Sequence, residues 1–183
     1  MSREIFGISM TLFYYYTYLK SFKDFDRSEI SVSCVFLSCK IDFNFLKFED
    51  VMMIYESLKK KKTPPPDLIK FEIEIMNFLG FEINIDTPYK YIYYYLEKSR
   101  SDRLKDSEFK NLVFNLINDS YRKPLCLFWH PRYIALAALI YAFEFLNYPF
   151  DIKDFINYDK TVNPEMLQLC LDNLVKIFEH KFV

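Results

Sequence analysis

A chain of 183 residues that is 51% apolar and 27% charged has enough hydrophobic area for one compact domain or two small packed ones, which excludes disorder as its main state. Its net charge of −1 supplies no field for gathering phosphate backbones and argues against a dedicated nucleic-acid-binding module. Two glycines against 20 phenylalanines and 15 tyrosines leave little turn chemistry and much bulky area to bury, favouring long helices over sheets.

Met1 to Glu4 lead into an aromatic, partly polar stretch and lack the basic, apolar and small-residue pattern of a secretory signal. From there the 3.6-residue period and its punctuation place helices near 4–20, 27–41, 47–60, 66–80, 88–98, 106–122, 131–146 and 164–180, with a short turn near 151–156. Pro66, Pro88, Pro131 and Pro164 mark starts, each at or just before the first turn, where a proline gives up an N–H that has no helical partner. No run alternates well enough for a strand. The longest apolar stretch, Tyr133 to Phe143, is too short for a bilayer, which takes roughly 20 residues, so no membrane association is expected.

The four cysteines, Cys34, Cys39, Cys126 and Cys170, have no metal-ligand spacing, and only His130 and His180 are available to help them. Cys34 and Cys39 read as small core residues, consistent with a reducing compartment. Lys59 to Lys62, followed by Pro64, Pro65 and Pro66, reads as a solvated loop before a proline-started helix; the alternatives are a nuclear import patch or a contact for nucleic acid. Trp129 reads as an aromatic anchor between helices. With no glycine-rich phosphate loop and no nucleophile with a base, an enzyme is not expected.

Self-similarity is the most informative feature. Val32 to Lys40 superposes on Ala135 to Phe143; both are rich in small residues and apolar almost all round, the pattern of a helix surrounded by others. Leu46 to Val51 matches Phe150 to Phe155, and Pro66 to Leu79 runs parallel to Pro164 to Ile177. The reading is a tandem helical duplication, with halves at 1–86 and 87–183.

Two asymmetries separate the halves. On a helical wheel begun at Leu68, Glu72 falls about 40° round, among the apolar positions Phe71, Ile75, Met76 and Leu79; its match in the second half is Cys170. A carboxylate so placed needs a partner. Lys40 ends the first central helix, where the second has Phe143, and shares a polar stripe with Glu29 and Ser33. Alone, Lys40 reads as a solvated helix-end lysine and Glu72 as half of an internal salt bridge. Together they suggest an exposed charged pair in apolar surroundings, suited to a peptide backbone or a partner helix.

Duplicated helical units with a lysine ending the central helix and a glutamate inside a later one resemble the cyclin family, and the resemblance covers nearly the whole chain. Ser31 to Val51 looks like the family's central helix, lysine and following helix; Lys70 to Ile92 looks like the glutamate-bearing helix and its exit. Asn118-Asp119-Ser120, and His130-Pro131 opening the next helix, are similar to transcriptional K, T and L cyclins, and Leu79-Gly80-Phe81 leans toward the L type. The resemblance implies an all-α, cyclin-like fold of two tandem five-helix-type repeats. It also implies a nuclear regulatory subunit that binds and activates a cyclin-dependent serine/threonine kinase in RNA polymerase II transcription or RNA processing. Lys40 and Glu72 would grip the kinase's regulatory helix and the loop before it, with apolar contacts from Ile41, Met76 and Phe81 and no cofactor, metal or catalytic residue. Three departures stand out. Asp42-Phe43 keeps only half of a frequent acidic pair, the chain begins within what resembles the first helix of the box, and no hydrophobic substrate-docking motif occurs. The competing expectation is a TFIIB-like DNA-binding general transcription factor with paired cyclin-like repeats, which should carry a basic stripe.

Overall fold

A computed structural model describes residues 2–21, 23–44, 46–60, 66–98, 106–151, 156 and 159–179. Nine helices and no strand occur among them: α1 Arg3–Leu19, α2 Arg27–Ile41, α3 Phe48–Lys59, α4 Leu68–Phe78, α5 Pro88–Lys98, α6 Ser107–Ser120, α7 Leu125–Phe128, α8 Pro131–Phe145 and α9 Pro164–Glu179. They divide into two compact units, Met1–Ile85 and Asp86–Val183.

Side-chain caps fix most helix starts by satisfying backbone N–H groups that have no partner within the helix. Ser2 accepts from the Ile5 amide at 3.1 Å, Asp26 from Ser28 at 2.8 Å, Asp67 from Lys70 at 3.0 Å and Asp106 from Glu108 at 3.0 Å. Asn163 accepts from Glu165 at 2.9 Å ahead of α9. Helix α8 opens on His130, whose Nδ1 accepts from the Arg132 amide at 3.3 Å, with Pro131 next. Asp26 does double duty, since its carboxylate also receives the Lys59 ammonium from the last turn of α3.

In the first unit α2 lies at the centre and packs on α1, α3 and α4. Ile8, Leu12, Tyr16, Ile30, Cys34, Leu37, Phe71 and Ile75 form its main buried cluster, and Val32, Val51, Tyr55 and Leu68 form a second one. Small residues let α1 approach α2: the Ser9 and Ser38 hydroxyls, both buried, lie 2.5 Å apart. One donates to the other, which in turn donates to a carbonyl of its own helix, so neither is left unsatisfied. The described part of this unit holds four helices where the family pattern suggested five.

The second unit is built on α8, which packs on α5, α6, α7 and α9. Every residue from Ile134 to Ile140 is buried, the result expected of a helix without a polar face. Phe109 and Phe143 meet with ring centroids 4.7 Å apart. Two fully buried tyrosines keep their hydroxyls paired, Tyr89 with Asn118 at 2.5 Å and Tyr95 with Asp159 at 3.1 Å. The four-residue α7, set by Pro124, adds a short element absent from the periodicity reading. Trp129 follows it and meets Tyr133 edge-on at 6.3 Å.

Cys34, Cys39 and Cys170 are buried, with free thiols, and Cys126 is half-buried. Burial pushes the Cys34 and Cys170 thiols up, Cys170 to about 12, which makes them inert core residues. Among the described residues no group of His, Cys, Asp or Glu is arranged to hold a metal ion, and no helix is long and apolar enough to cross a membrane. The run 61–65, most of the turn near 151–156, and His180 lie outside the described residues.

Two stability outcomes follow from this packing. Leu139→Ala, at a fully buried position of α8, should lower unfolding free energy by about 2–5 kcal/mol, whereas Leu169→Ala, half exposed on α9, should change it by about 0.5 kcal/mol or less; urea denaturation measures both. The Lys59 hydrogen bond holds the Asp26 carboxyl below its usual 3.8. A depressed native value contributes stability above the unfolded pKa, and that contribution is lost as pH falls through the native one. The urea midpoint of the wild type should therefore drop more than that of Asp26→Asn as pH is lowered below about 4.

Candidate partner-binding site

Helix α2 is closed on nearly all sides, so a charge can be placed only where the helix emerges. Lys40 occupies that last turn, where an ammonium also complements the unpaired carbonyls of the helix end. Its Nζ donates to Glu72 Oε2 of α4 at 2.5 Å and lies 4.6 Å from the Phe36 ring centroid. Both partners are open to solvent, with side chains 41% and 27% exposed. At such exposure an ion pair contributes about 1 kcal/mol or less to folding.

Glu72 sits on the margin of the α4 apolar face. Leu68, Phe71 and Ile75 are the buried members of that face, while Met76 and Leu79 pack half-buried against the same core. Two residues on, Glu74 accepts the Tyr16 hydroxyl at 2.9 Å and lies 3.6 Å from Lys20 Nζ. Tyr16 is buried, and desolvation with the Glu74 hydrogen bond pushes its phenol far above the usual value, so it stays a neutral donor. This bond pins α4 to α1 and thereby fixes the rotation that presents Glu72 to Lys40.

Of the five residues singled out from sequence, Lys40 and Glu72 meet directly. Ile41 and Met76 are half-buried beside them, against the core of the first unit. Phe81 is 65% exposed and follows the turn that closes α4, where its amide donates to the Met76 carbonyl at 2.9 Å. Both Gly80 and Phe81 have positive φ there, 59° and 61°.

Three apolar side chains in the same neighbourhood escaped the sequence reading. Ile69 and Ile73, 70% and 54% exposed, project from α4 on the side away from its buried stripe; apolar residues off the helical period were the available signal. Phe43 is 84% exposed and takes φ 54° in the turn that ends α2, where the Asn44 amide donates to the Cys39 carbonyl at 2.9 Å. The matching turn after α8 uses Asn147, φ 52°, a residue that tolerates the left-handed region. A bulky residue there costs about 1 kcal/mol or more.

No family model matches the chain. Curated relatives do: Cyclin-T1-3 of Oryza sativa subsp. japonica is 26% identical over 175 residues, covering 86% of this chain and 35% of the relative. Cyclin-K of Danio rerio is 24% identical over 158 residues, covering 82% and 37%, and Cyclin-L2 of Homo sapiens is 26% identical over 189 residues, covering 94% and 36%. The chain thus spans about a third of the length of these relatives. Among solved structures, a chain of the yeast TFIIK (Kin28/Ccl1/Tfb3) complex has the same fold, with TM-score 0.69 and 17% identity, covering 97% of this chain and 76% of that one.

Replacing the strained aromatic with the residue used at the corresponding turn is informative. Phe43→Asn should raise unfolding free energy by about 0.5–1 kcal/mol, read as an increased urea midpoint.

Proposed function

We propose that this chain, a cyclin-family protein of the transcriptional type, is the regulatory subunit of a cyclin-dependent serine/threonine kinase and acts in the nucleus, in RNA polymerase II transcription or RNA processing. The observation that carries the reading is the solvent-open Lys40–Glu72 pair at the mouth of α2 and α4. Relatives named as cyclins T, K and L, and the fold shared with a chain of the Kin28/Ccl1/Tfb3 complex, support it.

The chemistry is recognition. An ammonium offers three N–H donors and a carboxylate two acceptor oxygens. Side by side, they match the carbonyl and amide groups left unpaired at the end of a helix and in the loop before it. In this reading Lys40 and Glu72 take those groups of the kinase's regulatory helix. Ile41, Met76 and Phe81 supply apolar contact around them, and Phe43, Ile69 and Ile73 extend that area. Held inward, the regulatory helix brings the kinase's own glutamate to its nucleotide-binding lysine. The chain forms and breaks no bond; it shifts the kinase toward its active arrangement by the difference in its affinity for the two states.

Because the pair adds so little to folding, its substitution separates binding from stability. Affinity purification and mass spectrometry first identify the captured kinase. Glu72→Lys should then fold normally by thermal melting and bind that kinase at least ~2 kcal/mol more weakly; unchanged affinity would overturn the assignment. Phe43→Asn should weaken the same complex while stabilising the free chain. The interface should bury about 2,000 Å² or more in total and lie on the first unit.

A further inference from the structure

A second candidate site lies wholly within the second unit. Lys90, Tyr91 and Tyr94 of α5, Arg132 of α8, and Asp159, Lys160 and Thr161 of the loop before α9 line a concavity of about 390 Å³. Three of the seven are cations and two are aromatic, whereas the one carboxylate, Asp159, is already saturated. It accepts from the Tyr95 hydroxyl at 3.1 Å, the Thr161 amide at 3.1 Å and the Thr161 hydroxyl at 2.5 Å.

Arg132 is held on every side it shares with the protein. Its Nη1 donates to the Thr161 hydroxyl and lies 3.6 Å from Asp159, and its Nε donates to His130 Nδ1 at 3.2 Å. The guanidinium lies 5.7 Å from the Tyr91 ring centroid. Burial and the Arg132 charge hold the His130 imidazole below its ordinary range, which keeps Nδ1 an acceptor for the arginine. A guanidinium has five N–H donors, and these contacts leave part of the fork unused on a side chain whose freedom is already spent. Lys90, anchored to Asp86 at 2.6 Å, and Lys160, exposed in the turn before α9, line the same concavity.

A fixed arginine fork flanked by lysines and tyrosine faces is the chemistry that recognises a phosphate monoester. We propose that this concavity binds a phosphorylated serine or threonine side chain presented by a peptide. With Asp86 on Lys90 and Asp159 beside Arg132 the cluster keeps an excess of one positive charge, which favours an anion over a cationic ligand, and its confinement to one spot gives no track for the evenly spaced phosphates of a nucleic acid. The tyrosine rings give the flanking peptide residues apolar contact. The site owes nothing to Lys40 or Glu72 and stands whether or not the kinase reading does.

The whole chain is passed over immobilised peptides with a fixed phosphoserine or phosphothreonine and degenerate flanks, beside an unphosphorylated twin library, and a retained sequence is titrated by fluorescence anisotropy. Binding should weaken at least tenfold without the phosphate and at least tenfold in Lys160→Glu, an exposed substitution that leaves the fold intact. Arg132→Lys, which keeps the charge and loses the fork, should weaken it as well, and inorganic phosphate should compete only at far higher concentration than the peptide. Equal retention of the twin library, no phosphate-dependent retention, an unaltered affinity in Lys160→Glu, or equal competition by a single-stranded oligonucleotide would each overturn the proposal. Kinase co-purification is measured on Lys160→Glu in parallel; it should be unchanged, so that a failure of this site and a failure of the Lys40–Glu72 assignment read out separately.

Discussion

A helix enclosed by neighbours on all sides cannot carry a charge along its length, because a buried ion without a partner costs several kcal/mol. That constraint shapes both units. Helix α8 meets it with alanine, leucine and isoleucine from Ile134 to Ile140, its two charges, Arg132 and Glu144, falling in the first and last turns. Helix α2 meets it with serines and cysteines whose hydroxyls close on backbone carbonyls or on one another. The charge it does carry sits at its ends: Arg27 and Glu29 in the first turn and Lys40 in the last. The location of the candidate site is therefore a consequence of packing. The mouth of α2 is where a cation can be presented on a rigid element, and α4, pinned by Tyr16 and Glu74, brings the matching carboxylate.

The same pair illustrates how weak folding energy and strong recognition coexist. In water the Lys40–Glu72 bridge contributes little, since solvent screens it and two long side chains must be ordered to make it. Covered by a partner, the same groups would be desolvated, and each hydrogen bond they make or lose would count for more. By the sequence match between halves, Cys170 stands where Glu72 does, and it is fully buried with a raised thiol. One scaffold position thus serves packing in one unit and display in the other.

Much of the helical layout was legible because it depends on local rules. The 3.6-residue period and the opening prolines locate the long helices to within a residue or two. The meeting of Lys40 and Glu72 was legible as well, since a carboxylate among apolar neighbours demands a partner and the two halves disagree at just those places. What escaped is what local rules do not encode. Helix α7 is one turn set by Pro124, too short to show a period. The left-handed backbone of Phe43 has no signature, because an aromatic is the residue least expected there. The concavity around Arg132 joins residues 90–94, 132 and 159–161, a set that only tertiary folding brings together.

Asp26 carries a consequence beyond its own cap. One carboxylate closes the start of α2 and holds Lys59 at the end of α3, so the fraying of either terminus releases the same anion. Neighbouring helix ends that share a counter-ion no longer breathe independently. Amide protons in the first turn of α2 and the last turn of α3 should therefore open together, with deuterium entering both on one timescale.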